Sequence, residues 1–192
     1  MNPIILIKQK LVQFEPDLII IYEGVNDQGC SMPAYHNKNT LTTPEIIMQN
    51  CGVYSLQDYP IHLAERYSEV CDLGKRNNFE VIVVFQPTVK LDGKILTNQE
   101  LDSYFDRPQY PIFLEDYNVM IQEALDGIVG CEKTVDLTKA FDSHDIPIYF
   151  DYHHVGNDGN TIVADNMSDL VIPLLIDKEI VDMNKKNISK IS

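Results

Sequence analysis

The sequence predicts an α/β fold built on a parallel sheet, and two observations carry the prediction. Leu18-Ile19-Ile20-Ile21-Tyr22 and Val81-Ile82-Val83-Val84-Phe85 are short, mostly β-branched runs of the kind that form strands buried on both faces. Between and after them lie longer stretches whose apolar residues recur at helical spacing. Strands alternating with helices make βα units, and βα units make parallel sheets.

The elements follow in order. Residues 4–14 place apolar side chains at 4, 5, 7, 11, 12 and 14, which predicts an amphipathic helix with Pro3 in its first turn and Glu15-Pro16-Asp17 as its stop. The first strand, 18–22, closes in Glu23-Gly24-Val25-Asn26-Asp27. Residues 28–55 are rich in turn formers and predict a long excursion with one short helix near Thr43-Pro44-Glu45. Residues 58–77 read as a helix, with Gly74, Lys75 and Arg76 as its stop signals, and 81–85 as the second strand, ended by Gln86-Pro87. Thr97 and Glu100 have the spacing of a capping box, with Thr97 as N-cap. Helical spacing returns over 111–128, a short third strand is expected at 134–137, and a final helix at 157–175. The organisation expected is one domain over 1–181 and a flexible tail, rich in Lys, Asn and Ser, over 182–192.

Composition excludes several functions. With 15 basic and 29 acidic side chains the chain carries a formal charge of −14, the wrong sign for a protein that holds nucleic acid through phosphate contacts or docks on an anionic membrane. No apolar stretch reaches the length of a membrane span, and Ile4-Ile5-Leu6-Ile7 lacks the flanks of a signal peptide. Cys30, Cys51, Cys71 and Cys131 form no C-x-x-C pair, and free thiols are favoured over disulfides because a domain of this size does not need staples.

Two clusters carry chemistry. In open α/β sheets, functional groups gather at the carboxyl ends of strands, which draws attention to Gly24-Val25-Asn26-Asp27. There a glycine permits close backbone approach and an asparagine amide can donate to a developing oxyanion, although an ordinary turn uses the same residues. The second cluster is Asp151-Tyr152-His153-His154. An Asp three residues before a His can hold its Nδ1 and leave Nε2 as a general base. A metal site of Asp151, His153 and His154 is the rival, weakened by the expectation that adjacent histidines on a strand face opposite ways; a plain surface histidine pair is the third reading.

Taken together, the clusters resemble the SGNH or GDSL family of serine ester hydrolases. Residues 11–27 resemble the family's block in which a buried strand ends in G-x-N-D. Residues 151–164 resemble its D-x-x-H block, with a glycine, Gly159, five residues after the histidine and then a helix. The resemblance implies a three-layer α/β/α, flavodoxin-like fold. It also implies Asn26 as oxyanion donor, Gly24 shaping its turn, Asp27 bracing the loop, His154 as general base and Asp151 as its orienter. His153 matches no required position. The chemistry implied needs neither metal nor organic cofactor, and its substrate is a carboxylic ester, with carbohydrate and lipid esters both open.

The same resemblance leaves a gap. The family's nucleophile lies in a Gly-Asp-Ser turn after its first strand, before the G-x-N-D block, whereas every serine here, from Ser31 to Ser192, follows Asn26 and none is in that setting. The expectation is therefore an N-terminally incomplete domain lacking its first strand, inactive by itself and dependent on a missing segment or partner for stability. A non-catalytic remnant that binds esters or partners is one alternative, and a different nucleophile close after Asn26, such as Ser31 or Cys30, is another. Nothing in the residues assigns a compartment.

Overall fold

The computed structural model describes residues 3–23, 58–89, 93–104, 110–151 and 153–188, with the side chains of 3–4, 103–104, 110–118 and 177–188 left aside. Among the described residues, β1 (Leu18–Glu23), β2 (Glu80–Phe85) and β3 (Lys133–Asp136) form one parallel sheet in the order β1-β2-β3. The register pairs Leu18 with Glu80 through Glu23 with Phe85, and Ile82 with Lys133 through Phe85 with Asp136. All three carboxyl ends therefore fall on one edge of the sheet.

The pleat of β2 divides the core in two. Val81, Val83 and Phe85 face a cluster formed with Tyr59, Leu63, Tyr67 and Val70 of α2 (Tyr59–Asn77) and with Ile121 and Ala124 of α4 (Tyr110–Gly127). Ile82 and Val84 face the opposite way, against Phe141, Ile148, Tyr149 and the Val163 face of α5 (Asn157–Ile188). The result is helix, sheet and helix in three layers, the α/β architecture the sequence predicted.

Local differences have physical reasons. The helix expected over 4–14 is instead α1 (Pro3–Leu6), a π turn at Ile7–Leu11 and a 3-10 turn at Val12–Phe14. The widened turn lets Ile7, Leu11 and Val12 reach the core, and Glu15 ends the segment at φ 49°. β1 is covered less completely than its apolar run predicted: only Ile21 is buried, while Ile20 and Tyr22 are each 38% exposed. Among the described residues β1 pairs with β2 alone. Gly74 is not the stop of α2. It lies inside the last turn, where an added Cβ would stand 2.6 Å from the Phe79 carbonyl oxygen, and Asn78 closes the helix at φ 61°. α5 runs through Pro173 to Ile188, past the 175 at which its apolar spacing fades. The short helix expected near Thr43-Pro44-Glu45 lies outside the described residues.

The expectation of free thiols is corrected for one pair. Cys71, on the buried face of α2, is joined to Cys131 in the turn before β3, with Cα atoms 4.7 Å apart. That separation lies within the range a disulfide requires. Domain size removes the need for a staple, but it does not prevent two cysteines from meeting across a helix and a strand. Cys30 and Cys51 lie outside the described residues.

Candidate active site

The second sequence cluster sits at the tip of a tight loop between β3 and α5. After β3 the Leu137 N–H donates to the Phe85 carbonyl, and the chain passes beneath the sheet with Phe141, Ile148 and Tyr149 buried. It then doubles back. Gly156 N–H donates to the Ile148 carbonyl at 2.8 Å, Phe150 N–H to the His154 carbonyl at 2.8 Å, and Tyr149 bridges Val155 in antiparallel fashion. A Cβ on Gly159 would lie 2.7 Å from both Ile148 Cγ2 and Val155 Cβ, so only glycine lets the first turn of α5 close against the loop. This gives a packing reason for the glycine five residues after His154.

At the tip, Asp151 divides its oxygens between backbone and ring. Oδ1 accepts N–H groups from His153 at 3.0 Å and His154 at 2.8 Å, and Oδ2 lies 2.7 Å from His154 Nδ1. Burial pushes the Asp151 carboxyl up, but the His154 ring and the two backbone donors outweigh it and hold the group below its usual value. An ionised carboxylate only accepts, so it places the proton of a neutral His154 on Nδ1 and leaves the Nε2 lone pair outward. The His154 side chain is 67% exposed, so Nε2 is open to an incoming group.

His153, whose role the sequence left open, packs beside this ring with centroids 4.0 Å apart and planes 43° apart. Burial lowers its pKa, the neighbouring His154 lowers it further, and Asp151 partly restores it. The two adjacent histidines do not face apart as expected, because they lie in a bend and not in a strand. Ligand atoms of Asp151, His153 and His154 all fall within 4.8 Å of one another, so among the described residues this trio is a set that could hold a cation.

One contributor was not legible. Glu100, at N3 of α3 (Asn98–Tyr104), is 2% exposed and completes the capping box the sequence predicted, its Oε2 accepting the Thr97 N–H and hydroxyl, each at 2.8 Å. The same oxygen takes the ammonium of buried Lys94 at 3.1 Å. Oε1 reaches across 48 and 49 residues to accept the N–H groups of Ile148 at 2.8 Å and Tyr149 at 3.0 Å. Burial raises its pKa, but the donors from Tyr149, Ile148 and Thr97 outweigh it and bring the group down to about 2. Its long-range partners are backbone amides, which no residue pattern announces.

Gly24, Asn26 and Asp27 lie outside the described residues, as do Ser31 and Ser55. β1 ends at Glu23, whose carboxylate accepts the buried Tyr67 hydroxyl at 3.4 Å. Ser68 is engaged elsewhere: its hydroxyl donates to the Ala64 carbonyl and accepts the Val129 N–H.

No protein-family model and no curated protein matches the sequence. Among solved structures, the chain is similar to an acetyl xylan esterase, AlAXEase, at 18% identity over 88% of this chain and 73% of that chain, with a TM-score of 0.50. It is also similar to a mutant of Axe2, an acetyl-xylooligosaccharide esterase from Geobacillus Stearmophilus, at 15% identity and TM-score 0.48, covering 85% of this chain and 63% of that one. LAE5, an alpha/beta hydrolase enzyme from the metagenome of Lake Arreo, Spain, aligns at 14% identity and TM-score 0.49 with the same coverages of 85% and 63%. The parallel sheet between two helical layers is therefore a fold this chain shares with the acetyl xylan esterase.

Proposed function

We propose that the chain is an SGNH/GDSL-type acyl-ester hydrolase component in which His154 is the general base and Asp151 fixes its ring. Asn26 serves as an oxyanion donor, with Gly24 and Asp27 shaping its turn. The observation that carries the reading is the 2.7 Å contact between Asp151 Oδ2 and His154 Nδ1 in a ring whose other nitrogen is open to solvent. In acyl transfer such a pair takes the proton of an attacking hydroxyl and returns it to the leaving alcohol. The fold shared with an acetyl xylan esterase makes a carbohydrate acetyl ester the first substrate class to try.

No serine of the chain stands in a Gly-Asp-Ser setting, and a base and its orienter without that nucleophile leave only binding and oxyanion stabilisation, so the chain by itself is expected to hydrolyse p-nitrophenyl acetate at background rate. Ester binding supplies the direct test. Titration with acetylated xylo-oligosaccharide should perturb the Asn26 side-chain amide and the His154 ring in one saturable process, and His154→Ala should abolish the Asn26 response to the acetyl group. Saturable binding that moves neither group would exclude this site for esters. Rapid p-nitrophenyl acetate hydrolysis lost in His154→Ala would keep the base and place a nucleophile within the chain.

A further inference from the structure

Glu100 accepts five hydrogen bonds while almost fully buried, more than a helix cap requires. Its Oε2 side serves its own helix and Lys94, which matches a capping box with a buried counter-charge. The Oε1 side serves neither: it holds the two successive amides that begin the loop ending in Asp151 and His154. Two further backbone bonds, Gly156 to Ile148 and Phe150 to His154, close the loop on itself, and Tyr149 packs edge-on against Phe141 at 5.4 Å. Through the Oε1 bonds the excursion after β2, where Glu100 lies, is tied to the connection between β3 and α5.

We propose that Glu100, with Lys94 as its counter-charge, is a positioning residue that anchors the Asp151–His154 loop and so sets the direction of His154. This rests on the reading of His154 as the base. Glu100 acts through Ile148 and Tyr149, not on substrate. The carboxylate is suited to this because both its oxygens accept, so that one can hold two successive buried N–H groups while the other serves the cap and Lys94. Lys94 keeps the anion charged in a dry site, which a neutral acceptor would not need.

The test compares two charge-neutral pairs in the full chain. Lys94→Met with Glu100→Leu fills the volume but offers no acceptor, whereas Lys94→Met with Glu100→Gln restores one carbonyl oxygen for Ile148 and Tyr149. Amide exchange at Ile148 and Tyr149 should accelerate about tenfold or more in the leucine pair relative to β2 amides, and return toward the wild-type rate in the glutamine pair. The downfield Nδ1 proton of His154, the signature of its bond to Asp151, should weaken in the leucine pair and persist in the glutamine pair. A Cys71→Ser, Cys131→Ser chain, destabilised through the opposite layer, should retain that proton. Equal exchange and an unchanged ring proton in both pairs would overturn the proposal. Should the leucine pair fail to fold, the wild-type chain still decides: unprotected Ile148 and Tyr149 amides overturn the anchor, and protection matching that of β2 supports it. Neither readout needs turnover, so a failure to bind or hydrolyse esters would remove the functional reading and leave the anchor standing.

Discussion

The chemistry of the tip depends on how single residues share their atoms. Asp151 uses one oxygen to hold the backbone of His153 and His154 and the other to hold the His154 ring, so one side chain sets both the turn and the ring that the turn presents. Glu100 repeats the pattern on a larger span, one oxygen local and one distant. Both carboxyls have lowered pKa values, and the sign of the consequence follows. A group whose folded value lies below its unfolded one adds stability above the unfolded value and loses it as pH falls through the folded one. For Glu100, brought from 4.5 to about 2, that stability is complete above pH 4.5 and lost on the way to pH 2. The amount is about 3 kcal/mol. Asp151 contributes in the same sense, and His153, whose pKa burial and the neighbouring His154 lower, adds a shallower loss as pH falls below its ordinary value of 6.5. Thermal melts between pH 7 and 2.5 should therefore fall gently at first and steeply below about pH 4.5. In the Lys94→Met, Glu100→Leu chain the steep part should be reduced; the same acid slope in both chains would remove Glu100 as its cause.

Among the elements, the spacing of apolar residues read correctly wherever an element is buried on the side its pattern implied. β2, with five consecutive buried residues, and α2, with Leu63, Tyr67 and Val70 inward, are the clearest cases. The pattern misled at β1, because an apolar run reports only that a strand can be covered, and the number of neighbours is a property of the sheet. It also misled at residues 4–14, since one helical period does not distinguish an α turn from the wider π turn that brings Leu11 and Val12 inward. The junction of loop and α5 is fixed by Gly159. Gly159→Ala should cost about 1 to 3 kcal/mol by overpacking against Ile148 and Val155. It should also displace the loop, read as a shifted His154 Nδ1 proton; a stability loss with no change in that proton would mean the strain is absorbed in α5 instead.

For the whole molecule, the two clusters on either face of the sheet are stabilised differently. The face carrying α2 and α4 includes the Cys71–Cys131 disulfide, which closes a span of 60 residues. In the chain-entropy account a loop of that size contributes about 4 kcal/mol. Replacing both cysteines by serine should lower unfolding stability by about that amount in urea, with the m-value raised if the unfolded chain expands. A loss under about 1 kcal/mol would show that the two cysteines are held close by packing alone. The opposite face has no such cross-link among the described residues and relies on burial around Phe141 and on the Glu100 anchor.

By itself the sequence determined the fold class, because hydrophobic period and run length dictate which segments become strands and helices and hence the parallel sheet. It also determined that Asp151 and His154 are within reach of one another, since three residues of separation allow a side chain to bond the ring of its near neighbour. Tertiary structure alone decided that Cys71 meets Cys131, that the His153 and His154 rings pack side by side at a tilt, and that Glu100 carries the loop. Each of those is an encounter between residues distant in the chain, or a turn set by packing on both sides, and such contacts depend on how layers dock and not on any local pattern of residue types.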